Sequence, residues 1–152
     1  MLFPNNGVRA ITEPKTISQA EHGITRDHIS AGALRVLDTL QEAGFAAYLV
    51  GGGVRDLLLN LNPKDFDIAT EASPDQVKEL FGRSCRLIGR RFRLAHVRMG
   101  REILEVATFR GVPEPDEESG RNRVNDSGRI VRDNVYGTLE EDVWRRDFSV
   151  NC

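Results

Sequence analysis

Between residues 30 and 43 the apolar positions Ala33, Val36, Leu37 and Leu40 recur at three-and-four spacing. That spacing predicts a helix with one buried side, and Gly44 stands where it would stop. Residues 46–50 are short and continuously apolar, which predicts a central strand buried on both faces. Gly51, Gly52 and Gly53 end that run, and residues 54–60 predict a short helix. A second strand is expected over 65–69. Ser73, Pro74 and Gln76 form a capping box with proline at the first helical position, so a helix should run to about Phe81. Three further strands are predicted over 85–88, 92–99 and 102–109, and the tight Gly100–Arg101 step makes the last two an antiparallel hairpin. A final helix opens at Thr138, boxed with Glu141, and carries Trp144, Arg145, Arg146 and Asp147. Its pairs Glu141/Arg145 and Asp142/Arg146 stand four apart with the acid first, the favourable order.

Two stretches carry no such period. Residues 1–25 hold Pro4, Pro14 and adjacent Asn residues and read as a flexible N-terminal arm. Residues 112–128 are acidic, polar and broken by Pro and Gly, and read as a loop. The remaining 26–152 form one domain, as a length of 152 residues suggests. No apolar run approaches the length of a membrane span, and the N-terminus lacks the basic-then-apolar plan of a signal peptide. Cys85 and Cys152 match neither a metal-ligand spacing nor a disulfide framework, so a cytoplasmic setting is expected.

The net charge of −2 gives no bulk reason to expect a nucleic acid. Its distribution changes the picture. Only three of 21 basic residues are Lys, and seven Arg fall between Arg83 and Arg101. Guanidinium grips phosphate with two prongs where ammonium cannot. The stretch reads as a polyanion track or as a solvated strand surface.

Asp65 and Asp67 flank Phe66 on the second predicted strand. Residues two apart on a strand leave the same face, about 6–7 Å along it, so Phe66 can enter the core while both carboxylates project together. Two such charges repel unless a cation lies between them, and hard oxygen ligands suit Mg²⁺. The same pattern also fits the polar face of an ordinary amphipathic strand. Gly51, Gly52 and Gly53 fit a tight strand-to-helix turn, or a cradle whose backbone N–H groups approach phosphate with Arg55 reaching the same anion. Glu105 is expected to share a face with the apolar Ile103 and Ala107, where a carboxylate is costly unless paired or metal-bound. It would complete a metal triad or accept hydrogen bonds at a sheet edge. His96, within a strand, reads as a hydrogen-bonded structural histidine.

Three blocks then appear in order: LVGGGVRDLLLNLNPKDFDIAT at 49–70, EVATFRG at 105–111 and RRDFSVN at 145–151. Together they resemble the class II nucleotidyltransferase superfamily of poly(A) polymerases and CCA-adding tRNA nucleotidyltransferases, over roughly residues 28–152. The resemblance implies an α/β (α+β) fold: a polymerase-β-like head with a mixed, mostly antiparallel sheet and helices packed on one side. It implies catalytic, metal-binding roles for Asp65 and Asp67, with Mg²⁺ or Mn²⁺ as cofactor. Gly52 and Arg55 match nucleotide-phosphate contacts, Arg146 and Asp147 an active-site Arg-Asp pair, and Glu105 a supporting third acid. Asp147 would ligate metal or orient an arginine, and both side chains of the pair are expected to point toward Asp65 and Asp67. Asn60 stands where the family usually has Gly, at a helix end.

Within that superfamily LIGRRFRLAHV at 87–97 and RDNVYGTLEEDVWRRDF at 132–148 look like the poly(A) polymerase versions. The implied activity is transfer of AMP from ATP to an RNA 3′ end, with ATP and RNA as partners. A CCA-adding enzyme is the rival within the class, and a non-catalytic nucleotide- or RNA-binding module the rival outside it. The chain stops just after Arg-Arg-Asp-Phe, so the family's helical neck and body are expected to be absent.

Overall fold

The computed structural model describes residues 16–90, 93–111 and 136–146. Within the stretch read as an arm, α1 (Gln19–His22) is a single helical turn closed by a Ser18/Glu21 capping box, and a 3₁₀ turn at Arg26–His28 follows it. Helix α2 (Ala31–Glu42) starts where Ser30 Oγ accepts from the Ala33 amide at 3.1 Å, and it buries Ala33, Val36, Leu37 and Leu40. These are the four residues its apolar period singled out.

Strand β1 (Ala47–Val50) runs into α3 (Gly52–Leu58), followed by β2 (Asp67–Thr70), α4 (Pro74–Phe81), β3 (Cys85–Ile88), β4 (Leu94–Met99), β5 (Glu102–Thr108) and α5 (Leu139–Trp144). The five strands form one sheet in the order β1-β2-β5-β4-β3, antiparallel throughout except for the β2–β5 pair. That one parallel pair requires a long connection, here supplied by α4, β3 and β4. The β4–β5 hairpin turns at Gly100, whose φ of 63° is cheap only for glycine.

The main core lies between one sheet face and the α2 and α4 layer, with Leu40, Phe66, Ile68, Val77, Val97, Leu104 and Val106 among its members. On the other face only a small cluster forms, from Val50, Ala69 and Phe109 with Leu139 of α5 against them. Among the described residues nothing else packs on that second face.

Several boundaries differ from the sequence pattern by a residue or two, and those of β2 and α3 have a local reason. Strand β2 begins at Asp67 rather than Asp65, because β1 ends at Val50 and its register runs from Ala47↔Thr70 to Val50↔Asp67. On the β1 side no strand residue is left to pair with Asp65. Helix α3 starts at Gly52, earlier than the expected 54, because Gly51 already turns the chain at φ 78°, ψ −156°. It ends in a Schellman motif, with Leu61 N–H bonding Asp56 O at 2.8 Å and Asn60 N–H bonding Leu57 O at 3.0 Å. Asn60 sits there at φ 56°, the left-handed position that favours Gly and where Asn is the next best residue.

Candidate active site

The site is built on the open face, where β2 and β5 run side by side. Asp67 is the first residue of β2 and stands beside Glu105 of β5, and Glu105 stands opposite His96 of β4. His96 Nε2 approaches Glu105 Oε1 at 3.4 Å, so the histidine faces the acid cluster. The expectation for Glu105 needs correction. It does share a face with Ile103 and Ala107, but that face is open, with Ile103 60% exposed. The buried alternation of β5 is Leu104, Val106 and Thr108. Glu105 therefore bears no burial cost that a metal must relieve.

Phe66 is buried, as the Asp-x-Asp pattern requires, while Asp65 is exposed and Asp67 half-buried. Burial, then the neighbouring Glu105 and Asp65 carboxylates, push the Asp67 pKa above the usual carboxylate range, and Arg146 pulls it partway back. Two acids and one guanidinium thus act on one carboxyl. Among the described residues no group of three or more His, Cys, Asp or Glu side chains is placed to hold a metal ion.

A cleft of about 520 Å³ opens beside Asp67, lined by Gly52, Gly53, Arg55, Asp56, Leu61, Asn62, Lys64, Asp65 and Asp67. Each glycine of the triplet has a different neighbour. A Cβ on Gly51 would lie 2.6 Å from Asp67 Oδ2, and one on Gly53 would lie 3.0 Å from the Asp65 carbonyl oxygen. A Cβ on Gly52 would meet only the tip of the Arg55 side chain, at 3.3 Å. Arg55 itself is held by Asp56, which accepts from its Nε at 2.9 Å and Nη2 at 2.7 Å. Lys64 belongs to the cleft although the sequence pattern did not single it out. Its only signal was its place immediately before Asp65.

Arg146 reaches the site from α5 by a device that the sequence pattern under-read. Asp142 is 1% exposed and accepts from Arg146 Nε at 3.1 Å and Nη2 at 2.7 Å, from Arg145 Nε at 3.0 Å and Nη2, and from the Arg110 amide at 3.1 Å. Burial pushes the Asp142 carboxyl pKa up, but the two guanidinium groups and the amide more than offset it, and the net shift is downward. The Asp142/Arg146 pair forms as its spacing suggested. The Glu141/Arg145 pair does not, because the Glu141 carboxylate is taken by the cap, accepting from Thr138 N–H at 2.7 Å. Trp144 does not anchor the helix, since it is 39% exposed. Leu139 and Asp142 hold the helix instead. Asp147 and Phe148 lie outside the described residues.

No helix among the described residues is long and apolar enough to cross a membrane. A family profile described as the poly A polymerase head domain matches residues 47–152. Poly(A) polymerase I of Salmonella typhi is 57% identical over 136 residues, covering 89% of this chain and 29% of that protein. A CCA-adding enzyme of Lactobacillus helveticus (strain DPC 4571) is 44% identical over 120 residues, covering 79% and 28%. Among solved structures, the Bacillus stearothermophilus CCA-adding enzyme in complex with CTP superposes with a TM-score of 0.56 at 35% identity, over 79% of this chain and 26% of that one. The chain thus spans less than a third of the length of each of these relatives.

Proposed function

Because this chain belongs to the poly(A) polymerase family through its head domain, we propose that it carries the nucleotidyl-transfer centre of an RNA adenylyltransferase. The reaction is attack of an RNA 3′-hydroxyl on the α-phosphorus of ATP, forming a phosphodiester and releasing pyrophosphate. The observation that supports it best is the crowding of carboxylates around Asp67 at the mouth of a glycine-lined cleft with Arg55 and Lys64 on its wall. Such a site offers anions on one side and cations with bare backbone on the other. A triphosphate needs the second and its metal needs the first.

The donor set suits Mg²⁺ or Mn²⁺. Asp65 and Asp67 would hold it, with Glu105 as a supporting acid, because hard carboxylate oxygens match a hard cation and a cation would relieve their mutual repulsion. An open pair rather than a closed cage also suits Mg²⁺, which keeps waters and takes substrate phosphates as ligands. When bound, the metal supplies Lewis acidity toward the attacking hydroxyl and the transferring phosphoryl group. This chain's own residues supply position. Gly52 and Gly53 let the triphosphate approach backbone, Arg55 and Lys64 offset its charge, and Arg146, aimed by Asp142, adds a guanidinium beside Asp67. For Asp147 the family pairing with Arg146 assigns a role as a further active-site acid.

Use of ATP rather than of CTP and ATP is supported by the higher identity to Poly(A) polymerase I than to the CCA-adding enzyme, 57% against 44%. Incorporation of labelled ATP and CTP on a generic RNA, and on a tRNA lacking its terminal nucleotides, separates these readings. AMP addition to the generic RNA is expected. CMP addition confined to the tRNA would favour the CCA-adding reading, and no incorporation of either would favour a binding module.

A further inference from the structure

The transfer chemistry leaves most of the arginine-rich stretch between Arg83 and Arg101 unused, and the sheet sorts its members. Arg93 is engaged on the helix layer, donating to both carboxylate oxygens of Asp75 on α4 at 3.0 and 2.9 Å. Arg86 and Arg98 face the opposite way. Register sets Arg86 opposite His96, His96 opposite Glu105 and Glu105 beside Asp67. The four form a row across the open face, from β3 through β4 and β5 to β2. Arg98, two residues along from His96, shares its face. It is therefore a diagonal neighbour of Arg86, roughly 7 Å away.

Both guanidinium groups are available. Among the described residues Arg86 has no ion-pair or hydrogen-bond partner, and Arg98 gives only its Nε, to the Gly100 carbonyl at 3.2 Å. Exposed apolar side chains stand with them. Ile88, two along from Arg86, is 41% exposed, and Ile103, opposite Arg98, is 60% exposed. Neighbouring strands lie about 4.8 Å apart, so Arg86 is three strands, or roughly 14 Å, from Asp67.

The row is polar from end to end. Its Asp67–Glu105 end repels phosphodiester, while its Arg86–Arg98 end attracts it. A chain of net charge −2 has no bulk attraction for RNA, so a local field must supply it. We propose that the open face of β3 and β4 is the track for the single-stranded RNA behind its 3′ end. Arg86 and Arg98 hold backbone phosphates, Ile88 and Ile103 give apolar surface to bases and ribose, and the neutral hydroxyl terminus is the part that enters the acid end. The assignment rests on the adenylyl-transfer reading, which gives the strand its direction.

Fluorescence anisotropy of a 5′-fluorescein oligo(A) RNA with this chain tests it at low salt. The Arg86→Glu/Arg98→Glu double variant should raise Kd at least tenfold and lower the log–log salt slope by about two. Its melting temperature and its Mg²⁺–ATP affinity should stay at wild-type values. Arg35→Glu, an exposed arginine on α2, serves as the control for bulk charge and should change Kd less than twofold. The proposal is overturned if the double variant binds RNA like wild type, if Arg35→Glu weakens binding as much, or if wild type binds no RNA. Failure of the adenylyl-transfer reading shows separately, as wild-type protein that binds RNA through this face but neither binds nor turns over Mg²⁺–ATP.

Discussion

Gly51 leaves the space that the Asp67 carboxylate fills: a Cβ there would lie 2.6 Å from Asp67 Oδ2. The backbone at Gly51, φ 78° and ψ −156°, lies in a region open almost only to glycine. Gly51→Ala therefore carries two costs, roughly 1–3 kcal/mol of backbone strain and the displacement of Asp67. Thermal unfolding should show a clear drop in Tm, with loss of incorporation alongside it.

Gly52→Ala should behave differently, because its Cβ meets only the flexible end of Arg55. Stability should change little, while ATP binding weakens because the methyl group enters the phosphate side of the cleft. Titration with ATP beside a melt without it separates the two effects. Equal loss of Tm with and without ATP would mark Gly52 as a purely structural glycine.

Asp67 has a raised pKa, so in the folded chain its ionised form is disfavoured relative to the unfolded chain. Asp67→Asn, tested in metal-free buffer at neutral pH, should leave Tm unchanged or raise it. Mg²⁺ should raise the wild-type Tm by mass action and leave the variant's where it is. A variant that still gains Tm from Mg²⁺ would remove Asp67 from the metal site.

Asp142 has the opposite sign. Its folded pKa is depressed, so its contribution is present above the ordinary carboxylate value and is lost as pH falls through the lowered one. Asp142→Asn should cost about 2 kcal/mol near pH 7, the scale of hydrogen bonds to charged groups. The Tm gap to wild type should persist down to about pH 4 and close below that. The same variant should lower kcat by freeing Arg146.

Much of this was legible in the sequence because it is local. The caps at Ser73 and Thr138, the apolar period of α2 and the Gly100 hairpin depend only on neighbours in the chain. The misread features depend on partners far along it. Which face of β5 is covered is decided by α2 and α4, so the surroundings of Glu105 were not readable from its own strand. Burial of Asp142 depends on the Arg110 amide, 32 residues away, and no helical period reports it. Likewise β2 begins only at Asp67, where its ladder to β1 ends at Val50, a partner that lies far back along the chain.

The central claim is Mg²⁺-dependent AMP transfer at Asp65 and Asp67. Its most direct test is incorporation of labelled ATP onto an RNA 3′ end by the full-length protein carrying these residues, wild type against Asp65→Asn and Asp67→Asn. Wild type should add AMP, and incorporation should fall by at least about 10³-fold in each variant, with the fold intact by melting. Near-normal Mg²⁺-dependent incorporation by either variant would contradict it.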